Sequence, residues 1–403
     1  KLTSIHAPQN ATIEEYRTIL GGTADYFLFG TAQNNVNNDT ATIVDTTASD
    51  VVLSGGELLY TTGGVHDSQP PPPLFAITQF DRRLWGISAE DRQLLWFTDQ
   101  FVDGIAPVWN EGNTVRVSNQ FGDATGLEGM DDKIVIFQND AISYIHQGGG
   151  PDASGNGSYH DPILMMSGEG MAEADVQSTV VMPDGIMFRA GRGLALLTRG
   201  LTLEYIGAPV QKYVTSAWVT AGALLYPDKT QVRFYSTGGT TLVYDYIAKQ
   251  WSVFTGQTAS SAVLWGGLPT FANATNGVLV ENALYTENGA AITMKVTTPW
   301  IKMGGFRGFG RLYELQGIGE FAAAHTLNVT TAYNDNPADT VVKSVVPGTN
   351  WDWACLDDRQ KISTAKVTLA ETSSLAGFKA SGLVLLIGAK PGLNRIDPGK
   401  RAT

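Results

Sequence analysis

Apolar and polar positions alternate along most of this chain in short runs, and the runs come in pairs joined by tight polar turns. Arg82–Ile87 is followed by Gln93–Thr98 across Ala89-Glu90-Asp91-Arg92. Lys133–Phe137 is followed by Ala141–Ile145 across Gln138-Asn139-Asp140. Gly185–Phe188 is followed by Leu194–Leu197 across Ala190-Gly191-Arg192-Gly193, and Gln231–Tyr235 by Thr241–Tyr244 across Thr237-Gly238-Gly239. Gly277–Val280 is expected to turn through Glu281-Asn282 into Ala283-Leu284-Tyr285. Run length, β-branched and aromatic content and turn chemistry predict a β-hairpin each time. The hairpins recur about every 45–55 residues, near the period of a four-stranded propeller blade. The segment VYDYIAKQWSVFTG (243–256) then reads as the back half of a blade, with Trp251 placed where one blade leans on the next.

After about residue 290 the hairpin rhythm stops. Leu312–Gly317, Thr326–Tyr333, Lys366–Leu369 and Leu383–Ile387 are strand patterns of another kind, and they predict a β-sandwich. Ahead of the first hairpin, Tyr26–Gly30 and Glu57–Tyr60 read as strands, and Ala11–Leu20 is the best helix candidate. Pro70–Pro73 is a stiff spacer running into an expected strand at Leu74–Ile77. The expected organisation is an all-β chain: an N-terminal segment with a first blade over 1–75, propeller blades over 76–290, and a β-sandwich over 291–403.

Composition narrows the function classes. Of the 403 residues 16% are charged, and 27 Lys and Arg stand against 39 Asp and Glu, a net charge of −12. No basic face of the kind that grips duplex phosphates stands out. The single Cys355 excludes an internal disulfide and a cysteine-rich metal site. No apolar run approaches the ~20 residues of a membrane helix. The chain begins at Lys1 without a signal-peptide pattern, as expected of a fragment or a processed start.

Candidate chemistry is sparse. The five histidines (His6, His66, His146, His160 and His325) show no metal-binding spacing. His146 and His160 bracket the Gly-rich stretch HQGGGPDASGNGSYHDP, which has no phosphate-loop lysine and reads as a long flexible connection. No GxSxG elbow occurs. Propeller glycosidases use paired carboxylates on inner strands, and Asp131, Asp132, Asp184, Asp228 and Glu281 are the residues placed to face a central channel. Each also adjoins a turn, where Asp is common for backbone reasons. Asn34–Asp39 and Asp335–Asp339 offer oxygen ligands for calcium without EF-hand spacing. Trp85, Trp109, Trp251 and Trp265 are sugar-stacking candidates if exposed and core residues if at blade joints. No catalytic, cofactor-binding or metal residue is assigned, and no enzymatic activity is expected.

Several segments, taken in order, resemble a family: the β-propeller nozzle or hub proteins at the distal end of bacteriophage tails, chiefly of short-tailed phages. FDRRLWGIS (80–88) with LLWFTD (94–99) looks like that family's opening blade hairpin, and Pro107-Val108-Trp109-Asn110 like the segment after it. DKIVIFQNDAISY (132–144), Gly168-Glu169-Gly170, Pro183–Phe188, GRGLALLTRGLTLEYIGAPV (191–210) and GLVLLIGAKPGLNRI (382–396) continue the likeness over about 80–400. The first 75 residues depart from it. The resemblance implies a structural virion protein, made in the host cytoplasm and located in the phage tail. It implies a homo-oligomeric ring, with a hexamer favoured, that contacts tail adaptor, fibre or needle proteins. Genomic DNA would pass through the lumen without sequence-specific binding, held until ejection. A glycan-binding propeller for host-surface recognition is the alternative, and a propeller glycosidase a weaker one.

Overall fold

The structure is a computed structural model. It describes residues 12–390 apart from 24, 34–41, 60–70, 102, 105–106, 149, 152–156, 274, 276, 283–285, 288, 304–308, 321–325, 347–351, 358, 360 and 374–378. The chain divides into two compact units, Lys1–Glu281 and Asn282–Thr403. The first is a β-propeller and the second a β-sandwich. The division falls ahead of the expected 290/291 boundary. The reason is pairing: the strand that starts at Ala290 is laddered to a strand near residue 370 and belongs to the second unit.

The N-terminal stretch holds an antiparallel pair, β1 (Thr12–Arg17) and β2 (Phe27–Gln33), and one helical turn, α1 (Asp50–Leu53), whose N-cap Ser49 accepts from the Val52 amide. The helix expected over Ala11–Leu20 is therefore a strand from Thr12. Thr12 and Ile13 are β-branched and pair with Gln33 and Ala32, while Tyr16 and Arg17 pair with Leu28 and Phe27, so long-range pairing overrides a weak local preference. Leu58 makes only an isolated bridge to Phe27, in place of the strand expected at Glu57–Tyr60. Tyr60 and Pro70 lie outside the described residues.

Five small antiparallel sheets follow. Blade 1 is β3 (Leu74–Phe80), β4 (Arg83–Ser88), β5 (Leu94–Thr98) and β6 (Trp109–Arg116). Blade 2 is β7 (Ala124–Met130), β8 (Lys133–Gln138), β9 (Ala141–His146) and β10 (Ile163–Ser167). Blade 3 is β11 (Val180–Met182), β12 (Gly185–Ala190), β13 (Gly193–Thr198) and β14 (Leu203–Tyr205). Blade 4 is β15 (Thr220–Tyr226), β16 (Gln231–Ser236), β17 (Thr240–Asp245) and β18 (Gln250–Thr255). Blade 5 has three described strands, β19 (Ser261–Trp265), β20 (Leu268–Asn273) and β21 (Gly277–Val280). Each sheet is a simple meander. The four hairpins expected between residues 82 and 244 are the β4–β5, β8–β9, β12–β13 and β16–β17 pairs. Gly277–Val280 differs. It pairs back onto β20, and its expected forward partner, Ala283–Tyr285, lies outside the described residues.

The second strand of each blade shows why the sheets stack. In β8, Ile134 and Ile136 pack with Trp85, Ile87, Leu95 and Phe97 of blade 1, while Val135 and Phe137 pack with Ile186, Phe188 and Leu197 of blade 3. In β12 and β13, Met187, Leu194 and Leu196 turn the other way, to Val232, Phe234 and Leu242 of blade 4. Tyr235 of β16 then stacks on Phe271 of blade 5, with ring centroids 5.3 Å apart. Both faces of these strands are covered, so IVIF and GIMF read as continuous apolar runs instead of alternating ones. Of the Gly-rich stretch after β9, expected to be a flexible connection, residues 149 and 152–156 lie outside the described residues, and the described Pro151 and Tyr159 are tied to blade 1. Tyr159 is buried against Trp85 and Phe97, and the buried Arg83 guanidinium donates to the carbonyls of Thr98 and Pro151.

The second unit comprises β22 (Thr286–Glu287), β23 (Ala290–Thr297), β24 (Ile301–Lys302), β25 (Phe309–Glu320), β26 (Leu327–Tyr333), β27 (Asn336–Val345), β28 (Asp352–Leu356), β29 (Thr364–Ser373) and β30 (Lys379–Lys390). One sheet has the order β22-β23-β29-β26-β27 with β24 against β29, and the other β28-β25-β30. Leu312, Leu315, Val329, Tyr333, Trp353, Val367 and Leu369 fill the space between them. Gly317 is required there, because a Cβ at that position would stand 2.1 Å from the Trp353 ring.

Trp251 tests the blade seam. Its indole N–H donates to the Ile206 carbonyl at 2.9 Å, and its ring lies 4.8 Å from that of Tyr244. Trp251→Ala is expected to lower unfolding free energy by about 3 kcal/mol, the low end for a large aromatic because the ring is half-buried. Trp251→Phe is expected to cost about 1 kcal/mol, the hydrogen bond alone. Denaturant melts of both variants check the ordering.

Candidate functional site

The first strand of each blade runs nearest the propeller axis, where space is short. Gly222 of β15 is demanded by that crowding, since a Cβ there would lie 2.7 Å from the Ala262 backbone nitrogen of β19. A cavity of about 400 Å³ remains among these strands. It is lined from every blade: Leu74–Ile77 of β3, Leu127 and Glu128 of β7, Val176, Gln177 and Thr179 leading into β11, Gly222 and Ala223 of β15, and Ala262 of β19.

Glu128 is the one charged residue of that lining. The Thr179 hydroxyl donates to its Oε2 at 3.2 Å. Burial among apolar side chains pushes its pKa up to about 7, with the Thr179 hydrogen bond opposing. Near neutrality the carboxyl therefore exchanges a proton, a property that suits a general acid or the recognition of a cationic group. Glu128 was not among the carboxylates picked from the sequence. The signal was present: ATGLEGM precedes the hairpin DKIVIF, which makes it an inner strand, and Glu128 is its only charge.

The five carboxylates expected to face a channel do not line this cavity. Asp131 and Asp132 form the β7–β8 turn, Asp184 lies in the β11–β12 turn, and Asp228 in the 3-10 turn between β15 and β16. Asp131 pairs with Arg199. Asp132 pairs with Lys133, which lowers its pKa, and lies 3.6 Å from Nδ1 of His146. Glu281 follows β21 and pairs with Arg233 and, at 3.1 Å, with Lys229. Burial tends to raise the Glu281 pKa, but the two cations more than offset this and leave it below the ordinary glutamate value. Turn position decides the four aspartates, because Asp satisfies turn amides and extended inner strands disfavour it, and ion pairing places Glu281.

The other candidates separate similarly. The His146 backbone N–H donates to Nε2 of His160 at 3.3 Å, so the folded-back loop brings these two histidines together at the surface. Among the described residues no cluster of three or more His, Cys, Asp or Glu is arranged to hold a metal ion. Asp335 sits in the β26–β27 turn with positive φ, and Asp339 pairs with Arg359; residues 34–39 lie outside the described residues. Trp85 and Trp109 are buried and Trp251 half-buried, whereas Trp265 is 73% exposed at the β19–β20 turn. Cys355 is half-buried in the sandwich, and burial raises its thiol pKa.

No protein-family model matches the chain, and no curated protein is similar to it. Solved structures with some likeness include the extracellular domain of a hybrid two-component system from B. thetaiotaomicron, at 13% identity and TM-score 0.35, covering 54% of this chain and 30% of that one. An exo-β-1,3-galactanase from Phanerochaete chrysosporium, crystallised with β-1,3-galactotriose, shows 7% identity and TM-score 0.30 over 81% of this chain and all of that one. PorZ, a surface component of the type-IX secretion system of Porphyromonas gingivalis, shows 9% identity and TM-score 0.33 over 54% and 28%. The chain thus spans less than two thirds of the length of the first and third. At these identities and TM-scores the likenesses transfer neither residue roles nor activity.

Two outcomes are expected. The Glu128 pKa is raised in the folded state, so its contribution to stability is fully present below about pH 4.5 and lost as pH rises through about 7. The loss amounts to about 3 kcal/mol, from 1.36 kcal/mol per pKa unit. Glu128→Gln is expected to flatten that dependence and to be more stable than wild type at pH 8, read from melting curves at pH 5 and pH 8. Glu281→Ala leaves Arg233 buried without its carboxylate and is expected to cost about 3 kcal/mol. Hydrogen exchange should show the loss first in β19–β21.

Proposed function

We propose that this chain is a structural subunit of a bacteriophage tail tip that assembles with copies of itself into a ring around the path of the genomic DNA. One observation supports the assembly role above others. The outward face of blade 5 carries Val263 (53% exposed), Trp265, Leu268, Val278 (70% exposed) and Val280. Cross-strand register places them together, with Trp265 opposite Leu268, Val263 opposite Thr270, and Thr270 opposite Val280. In the other blades, residues so placed meet a neighbouring sheet. A contiguous apolar face of this kind is the signature of a protein-contact surface.

The segments that carry the tail-tip resemblance also lie on successive blades: 80–99 on blade 1, 132–144 on blade 2 and 183–205 on blade 3. The inner strands approach too closely for a duplex, since even a Cβ on Gly222 would lie 2.7 Å from the Ala262 backbone nitrogen, whereas the major groove alone is ~12 Å wide. A DNA lumen would lie between subunits, not along the propeller axis. A net charge of −12 suits such a conduit, because adhesive phosphate contacts would slow ejection.

A second reading, a propeller that binds host-surface glycan, is favoured by the exposed indole of Trp265, which is free to stack on a sugar ring. A glycosidase is less favoured. Glu128 has the character of a general acid, but none of the five carboxylates picked from the sequence lines its cavity.

Mass measurement of the purified chain separates these readings. A closed oligomer is expected, with a hexamer favoured, and Val278→Lys with Val263→Lys is expected to reduce it to monomer. Duplex DNA should bind the assembly only weakly even at low salt. A chain that stays monomeric beside its tail partners, or binds duplex below micromolar with a steep salt slope, contradicts the ring and conduit reading. Glycan binding abolished by Trp265→Ala supports the second reading in its place.

A further inference from the structure

We infer that the axial cavity of the propeller is a binding site for an ammonium group carried on a compact apolar body. The inference is independent of the assembly role. The volume, about 400 Å³, lies in the ~300–1,000 Å³ range of small-molecule sites. Phe75, Leu127, Val176, Ala223 and Ala262 supply apolar wall, and Glu128, Gln177 and Thr179 supply polar side chains. This mixed lining suits an amphipathic ligand held by one polar end.

The charge of that end follows from what Glu128 lacks. Its hydrogen-bond partner is the Thr179 hydroxyl at Oε2. Among the described residues no cation forms an ion pair with Glu128. Arg92, which lies over the ring of the wall residue Phe75, is paired with Glu173, while Arg189 is paired with Asp175 and Arg233 with Glu281. A carboxylate half-enclosed by hydrocarbon gains most from a cation that brings its own apolar cover. An ammonium can donate to the Glu128 carboxylate, beside which the Thr179 hydroxyl stands. An anion would meet Glu128 repulsively, and a neutral alcohol would leave the charge uncompensated. Burial holds a proton on Glu128 near neutrality, so an arriving ammonium displaces that proton to solvent and the ligand's charge replaces it. The titratable groups on the adjoining 3-10 turn, Glu173 and Asp175, are held by Arg92 and Arg189.

Calorimetric titration of the whole chain with hexylammonium, hexan-1-ol and hexanoate at pH 8 tests this. Hexylammonium is expected to bind saturably at one site, hexan-1-ol more weakly and hexanoate not at all. Glu128→Gln should weaken hexylammonium by at least about tenfold, the scale for losing one partner of a buried charge pair. Absence of saturable binding, equal binding by wild type and Glu128→Gln, or equal binding of hexan-1-ol overturns the inference. If circular dichroism shows that Glu128→Gln is misfolded, Ala262→Leu serves instead. It fills the cavity and keeps the carboxylate, and undiminished hexylammonium binding to it overturns the inference equally.

Discussion

The propeller rests on one constraint: a blade whose middle strands are apolar on both faces must be covered on both sides. Val135 and Phe137 look to blade 3 while Ile134 and Ile136, their immediate neighbours in β8, look to blade 1. No two-layer arrangement satisfies that, and a series of sheets fanned about an axis does. Blades 2, 3 and 4 are covered on both faces in this way. Blade 5 is covered by blade 4 through Phe271, Leu264 and Leu279, while Val263, Val278 and Val280 face outward. The sandwich obeys a gentler form of the same rule. Its strands have one covered face, so β25 alternates buried and exposed positions, and β27 half-buried and exposed ones, where β8 and β12 do not.

Apolar packing alone does not fix the angle between blades, and directional bonds at the seams do so. Trp251 of blade 4 donates to the carbonyl that follows β14 of blade 3. Arg189 of blade 3 reaches the Trp218 carbonyl at 2.6 Å and the Thr215 carbonyl at 3.0 Å on the connection into blade 4, while Asp175 at 2.7 Å balances its charge. Arg233 of blade 4 holds Glu281 at the end of blade 5. Each is a guanidinium or indole that spans a seam and ends on a fixed acceptor, and each buried cation has its partner in place. The cavity is what this geometry leaves over. Five inner strands converge, glycine and alanine relieve the crowding, and the residual space keeps a single ionisable group whose proton affinity is set by its apolar surroundings.

Local chemistry carried much of this. The β4–β5, β8–β9, β12–β13 and β16–β17 hairpins are legible in the sequence because turn residues and strand runs are neighbours along the chain, and the interblade position of Trp251 follows from the same period. The strand at Thr12–Arg17 was not legible, because its partner lies beyond a turn and its own residues allow a helix. Trp265 looks like the other tryptophans in sequence and differs from them because, among the described residues, no sheet packs against its strand face. The number of blades, the end of the propeller at Glu281 and the placing of Asp131, Asp184 and Asp228 on turns away from the cavity depend on which strands meet. So does the importance of Glu128: its side chain is an ordinary carboxylate until four strands and a 3-10 turn from distant parts of the chain close around it. The sequence by itself determined the hairpins, their period and the all-β class, since these are set by contacts a few residues apart. Only the tertiary structure decided the cavity, its charge and the exposed face of blade 5, since these exist only where segments far apart in the chain converge or fail to.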